Sequence, residues 1–124
     1  MSLDVTLEVE GENLECVCRC GHTHRNTNPV EVHSANITHN LGEMAQAAGI
    51  YKELWRPEEE GLTKAHQLIA PLTSGLARLK GDPEGYARYN PRNGWGDYVG
   101  LVRFVEKYCA ACEEYPNADV RVSR

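Results

Sequence analysis

The chain has 124 residues, a formal net charge of -5 and 25% charged side chains, one domain's worth of polypeptide that is long enough to bury a core. The acidity opposes a chain-wide electrostatic grip on nucleic acid, and a mean hydropathy of -0.52 leaves no apolar run near the ~20 residues of a membrane span. Met1-Ser2-Leu3 opens an alternating stretch, unlike the continuous apolar segment of a secretory signal, so a cytoplasmic chain with no membrane partner is expected.

The charge is unevenly shared. Residues 1–60 carry 11 Asp/Glu against 4 Lys/Arg, and residues 61–124 carry 7 against 9. A solvated acidic face accounts for this, and an acidic surface for a basic protein partner is the alternative.

Leu3, Val5, Leu7 and Val9 alternate with polar residues and predict a half-buried strand. Gly11-Glu12-Asn13 supplies a turn, and the extended chemistry from Leu14 to Cys20 suggests a hairpin with that strand. Pro29 reopens an extended run in which Val30 and Val32 alternate with Glu31 and His33, a third strand ending near His39. Asn40 is placed as the N-cap of a first helix that Gly49 closes. Ile50, Tyr51, Leu54 and Trp55 form an apolar cluster ahead of Arg56-Pro57. Thr63 is expected to cap a helix through Leu68, Ile69, Leu72, Leu76 and Leu79, kinked or split near residue 70 by Pro71. Asp82-Pro83 starts a short helix, and Asp97 or the residue before it starts a long one with an apolar stripe through Leu101, Val102, Val105, Tyr108, Cys109 and Cys112. Ala118 to Ser123 alternates again, as a closing strand.

Strands at the front, helices in the middle and a last strand predict a single α+β domain over residues 1–124. It is a small, mostly antiparallel sheet with three to four helices on one face, in which the first and last strands meet.

Five cysteines, an odd number, without an export signal argue against a disulfide framework. Cys109 and Cys112 read as core. Cys16, Cys18 and Cys20 sit with His22 and His24 in a Cys/His-rich hairpin subsite, residues 14–28, where thiolate and imidazole suit tetrahedral zinc. Gly21 allows the chain to bend so that Cys18 and Cys20 converge with His24 or His22; Cys16 and His33 are candidates for the fourth ligand. Nothing in the pattern marks a carboxylate as the base for a catalytic zinc-bound water, so the expected zinc is structural; a cysteine-rich hairpin without metal is the alternative.

Two further segments could bind a ligand. Asn36, Thr38 and Asn40 alternate toward one side of the third strand, with His39 between them as a candidate base, and could grip a polar or anionic group; capping and turn chemistry explains the same residues. Asn93-Gly94-Trp95-Gly96 ahead of Tyr98 either anchors a loop on the core or presents an aromatic platform. Together with Trp55, Tyr86 and Tyr89, and with Arg88 and Arg92, an exposed cluster would suit a base and a phosphate.

At Asn36-Ile37-Thr38-His39-Asn40-Leu41, Ala48-Gly49-Ile50-Tyr51, Leu54-Trp55-Arg56-Pro57-Glu58 and Asn90-Pro91-Arg92-Asn93-Gly94-Trp95-Gly96-Asp97-Tyr98, the chain resembles a group of small uncharacterised phage and bacterial proteins. The similarity covers roughly residues 30–124. It implies a cytoplasmic accessory protein of phage or prophage type and transfers no activity.

The expectation is therefore a non-enzymatic binding module, stapled by zinc, that takes a small polar ligand or a protein partner. The alternative is a small enzyme using His39 on a phosphate- or carbonyl-bearing substrate. No Walker loop, nucleophile elbow or paired-carboxylate pattern supports the enzyme.

Overall fold

The computed structural model describes residues 2–9, 15–17, 23–25, 30–92, 94 and 96–124, with the segments 15–17 and 23–25 described by their backbone alone. Strand β1 (Ser2–Val9) lies at the centre of a three-stranded antiparallel sheet, between β4 (Val30–Thr38) and β5 (Asp119–Ser123). Strands β2 (Glu15–Val17) and β3 (Thr23–Arg25) pair with each other as a separate two-stranded sheet.

The period-two pattern of β1 decides which face is covered. Leu3, Val5 and Leu7 are fully buried, and their partners on β4 are Ile37, Ala35 and His33. Residues directly opposite in an antiparallel pair share a face, so these six form the floor of the core. The other face keeps the polar residues: Asp4 opposite Asn36, and Thr6 opposite Ser34 and Arg121. The register slips between Leu7 and Glu8 on the β4 side, a bulge-like irregularity near the end of the ladder.

The described part of the stretch expected to form a hairpin with β1, Glu15–Val17, does not pair with it. Both edges of β1 are taken, by β4 and by β5, so β2 has no place beside it and pairs with β3 instead. The expected meeting of the first and last strands does occur, with Val5 opposite Val122.

After β4 a single 3-10 turn (His39–Leu41) leads into α1 (Gly42–Ala47) and α2 (Tyr51–Trp55). The cap of that turn is Thr38, whose Oγ1 accepts from the Asn40 amide at 3.3 Å, and not Asn40 itself. Gly49 separates the two helices with φ at 77°.

The long α3 (Ala65–Gly81) runs unbroken through Pro71. Proline removes one backbone donor from the helix, and the buried stripe of Leu68, Leu72, Gly75 and Leu79 holds the helix against its neighbours across that gap. Its start also differs from expectation. Gln67 reaches back so that its Oε1 accepts from the amides of Thr63 and Lys64 at 2.8 and 3.0 Å, and Lys64 rather than Thr63 is the N-cap.

The short α4 (Pro83–Ala87) and the long α5 (Tyr98–Glu114) start as their sequences predict. Asp82 accepts from the Gly85 amide at 3.1 Å and Asp97 from the Gly100 amide at 2.7 Å, each satisfying one of the amides that open a helix. Helix α5 buries Leu101, Phe104, Val105, Tyr108, Cys109, Ala111 and Cys112 and packs against α3 and β4. Cys109 and Cys112 are thus free thiols of the core. The architecture is α+β, with five α-helices among the described residues. None of them is long and apolar enough to cross a membrane.

Candidate functional site: a cleft with two arginines

Two stretches far apart in sequence face each other across a cleft of about 450 Å³. One wall is the 3-10 turn and the start of α1, which supply His39, Asn40 and Glu43; the other is the run Arg88 to Arg92 that follows α4.

The first wall is set by β4. Where the strand stops at Thr38, the backbone tightens into the 3-10 turn, which turns His39 toward Trp55. The Trp55 indole Nε1 donates to His39 Nδ1 at 2.7 Å. Trp55 is itself 2% exposed and stacks on Tyr51, with ring centroids 5.3 Å apart and planes at 15°. An indole N–H can only donate, so Nδ1 must carry no proton, and in the neutral ring the proton resides on Nε2. His39 is thereby presented as a donor.

The second wall is held by turns. The amides of Tyr89 and Asn90 donate to the carbonyls of Tyr86 and Ala87, each at 3.0 Å, winding the chain past the end of α4. Pro91 disfavours helical geometry at the residue before it, and Asn90 Oδ1 accepts from the Tyr98 amide at 2.8 Å, tying the run to the start of α5. Arg88, Tyr89 and Arg92 are exposed.

Charge separates this cleft from two other hollows. One at Tyr51 and Lys52 has its cation beside Glu60, with Nζ to Oε1 at 3.5 Å. Another at Glu58 and Arg121 has Glu58 paired with Arg124 and Arg121 paired with Glu8. Arg88 and Arg92 form no ion pair among the described residues, which leaves two guanidiniums facing one carboxylate, that of Glu43, in an otherwise acidic protein.

The sequence-predicted residues divide accordingly. His39 and Asn40 line the cleft. Asn36 sits on the open polar face of the sheet, opposite Asp4. The alternation that groups it with Asn40 ends at Thr38, because Asn40 has left the strand. Thr38 caps the turn. Tyr98 serves the fold, its hydroxyl donating to the Leu79 carbonyl at 2.6 Å. Asn93 and Trp95 lie outside the described residues, as do Cys18 and Cys20 of the zinc subsite. Cys16 and His24 are described by backbone only and are direct partners in the β2–β3 register. Among the described residues no group of three or more His, Cys, Asp or Glu is placed to hold a metal ion.

Glu43 lies in no motif, and Asn90 and Pro91 open the Asn90–Tyr98 motif without being marked by it as site residues. Arg88, Tyr89 and Arg92 are visible in the sequence only as companions of an aromatic cluster, and their place opposite His39 depends on how α4 packs. No family model matches the chain, and no curated protein or solved structure matches it.

Proposed function

We propose that the protein is a binding module that receives a small anion, of the phosphate or carboxylate type, in the cleft between His39 and Arg92. The observation that carries this reading is the couple Arg88 and Arg92, which forms no ion pair among the described residues, on the cleft that His39 also lines. Guanidinium groups match oxyanions in charge and in hydrogen-bond geometry. Binding is favoured over the alternative of His39 catalysis by the same Trp55 contact. With Nδ1 accepting from Trp55, the neutral ring carries its proton on Nε2 and keeps no free lone pair to act as a base. The phage or prophage setting implied by the sequence motifs belongs to this proposal as the context in which such a module would sequester a ligand or a protein.

Isothermal titration with inorganic phosphate at low salt tests it. Saturable binding that Arg92→Ala weakens by about tenfold, with the melting temperature held, is expected; charge-assisted hydrogen bonds of this kind have that magnitude. The absence of saturable binding removes the reading.

A zinc staple at the Cys/His hairpin is proposed on a narrower footing. The register sets Cys16 opposite His24, and opposed residues in such a ladder have Cα atoms about 4.5–5.5 Å apart, a spacing that two ligands of one tetrahedral ion can share. His33, the reserve ligand, stacks on Tyr108 with ring centroids 5.8 Å apart. Metal analysis of untagged protein decides the matter. Stoichiometric zinc that Cys18→Ser releases supports the staple; zinc far below stoichiometry, with a melting temperature indifferent to Cys18→Ser, refutes it.

A further inference from the structure

The cleft is one of two adjoining hollows. A second, of about 230 Å³, is lined by Ala47, Asp82, Gly85, Tyr86, Arg88 and Tyr89, so that Arg88 and Tyr89 form a wall common to both. The volumes of the pair are of the order found in small-ligand sites, about 300–1,000 Å³. Tyr89 is 38% exposed and lines both hollows.

The two lobes differ in chemistry. The first has two guanidiniums and the His39 donor, suited to a doubly charged phosphate monoester, while Glu43 within it penalises further negative charge. The second adds Tyr86 and the Asp82 carboxylate to the shared Arg88 and Tyr89. One Asp82 oxygen is engaged with the Gly85 amide, and the carboxylate repels a second anionic group while accepting hydrogen bonds from amino or hydroxyl groups. A ligand that fits both lobes is anionic at one end and planar, aromatic and hydrogen-bond-donating at the other.

We infer that the double hollow binds a nucleoside monophosphate, with the phosphate between Arg88, Arg92 and His39 and the base against Tyr89 and Tyr86. The inference rests on the anion-binding reading above and goes further by assigning the second lobe. Tyr89 is the residue that distinguishes a nucleotide from a bare anion, since its ring offers a stacking surface to a base and nothing comparable to phosphate.

Titration calorimetry of the full chain with AMP, adenosine, inorganic phosphate and ATP tests both levels. AMP is expected to bind about tenfold tighter than phosphate, as one stacked base contributes, and ATP no tighter than AMP. Tyr89→Ala should bring AMP down to the phosphate level without moving phosphate, and Tyr89→Phe should retain the AMP affinity. Equal affinity of the unaltered protein for AMP and phosphate, or equal losses of both in Tyr89→Ala, overturns the base lobe and leaves the anion cleft standing. ATP binding tighter than AMP overturns the monophosphate assignment. Adenosine binding as tightly as AMP, or no binding by any of the four, overturns the anion cleft together with the inference.

Discussion

Trp55 and His39, sixteen positions apart, are joined by a hydrogen bond of 2.7 Å from the indole nitrogen to Nδ1. The bond couples a core residue to a cleft residue, so removing the acceptor should register in the stability of the whole chain. His39→Ala leaves a nearly buried indole N–H without its partner, which costs roughly 1–3 kcal/mol. His39→Asn, whose side-chain oxygen falls near the position of Nδ1, should recover part of it. Urea unfolding monitored by circular dichroism measures both; equal losses in the two variants would show that the bond contributes little.

Gly75 sets two opposing effects against each other. Alanine in a helix interior gains about 1 kcal/mol over glycine. A Cβ at position 75, however, would lie 2.2 Å from Ile50 Cγ2, an overlap of the kind that costs about 1–3 kcal/mol in a packed core. Overlap should win, so Gly75→Ala is expected to be destabilising. Adding Ile50→Leu, which removes the offending branch, should restore part of the loss, a coupling that a double-mutant cycle reads directly.

Much of the fold is legible residue by residue, and the reason is local. Leu3, Val5 and Leu7 mark the buried face of β1 by alternation alone, Asp82 and Asp97 mark helix starts by their chemistry, and the stripe on α5 follows from spacing. What is not legible depends on contacts across the chain. Adjacency in sequence favours Leu14 to Cys20 as the neighbour of β1, whereas the edges of β1 go to β4 and to β5, which is more than a hundred residues away in sequence. Gln67 displaces Thr63 as the device that opens α3, because a side chain one turn into the helix reaches back to both amides. At the site, His39 and Asn40 are readable as a polar pair. Their partners Arg88 and Arg92 become so only once α4 is placed.

His33 should make the protein sensitive to mild acid. It stacks on Tyr108, its Nε2 is buried without a hydrogen-bond partner among the described residues, and burial first, then the neighbouring Lys107, hold its imidazole below the ordinary value of 6.5. Above that value the ring is neutral in both the folded and unfolded chain. As pH falls below it, the unfolded chain takes the proton more readily, so stability is lost progressively toward the lowered folded value. The melting temperature of the unaltered protein should therefore fall between neutral pH and pH about 5. His33→Phe should flatten that slope; an unchanged slope in the variant rules out His33 as its source.

Cys112 should be chemically silent in the folded protein. It is fully buried, and burial, followed by Cys109 and Glu113, pushes its thiol up to about 12. The thiolate is the reactive form. Iodoacetamide at mildly alkaline pH followed by peptide mass mapping should leave Cys112 unmodified until denaturant is added. Rapid modification under native conditions would contradict the packing of α5.

Gly96 combines two constraints and should not tolerate alanine. Its φ of 93° lies in the left-handed region that favours glycine, and an added Cβ would lie 2.6 Å from Thr38 Cγ2 and 3.1 Å from Leu41. Gly61→Ala is the control, since Gly61 has a positive φ of 69° and nothing within 4 Å. Gly61→Ala should cost about 1 kcal/mol from backbone strain, and Gly96→Ala should cost clearly more by the same denaturant measurement.

The central position of β1 has a consequence for how the protein is made. During synthesis Ser2–Val9 leaves the ribosome well before Asp119–Ser123, yet one of its two edges is covered by that later strand. Until that last strand arrives, the middle of the sheet presents an open edge beside a row of leucine and valine side chains, the situation in which a nascent chain pairs with the wrong partner. Folding dominated by such distant pairing is slow. The long helix α3, which forms from local contacts and shares the core cluster of Leu3, Val5 and Leu7, is complete well before that last strand is made and is the element available to cover the apolar row.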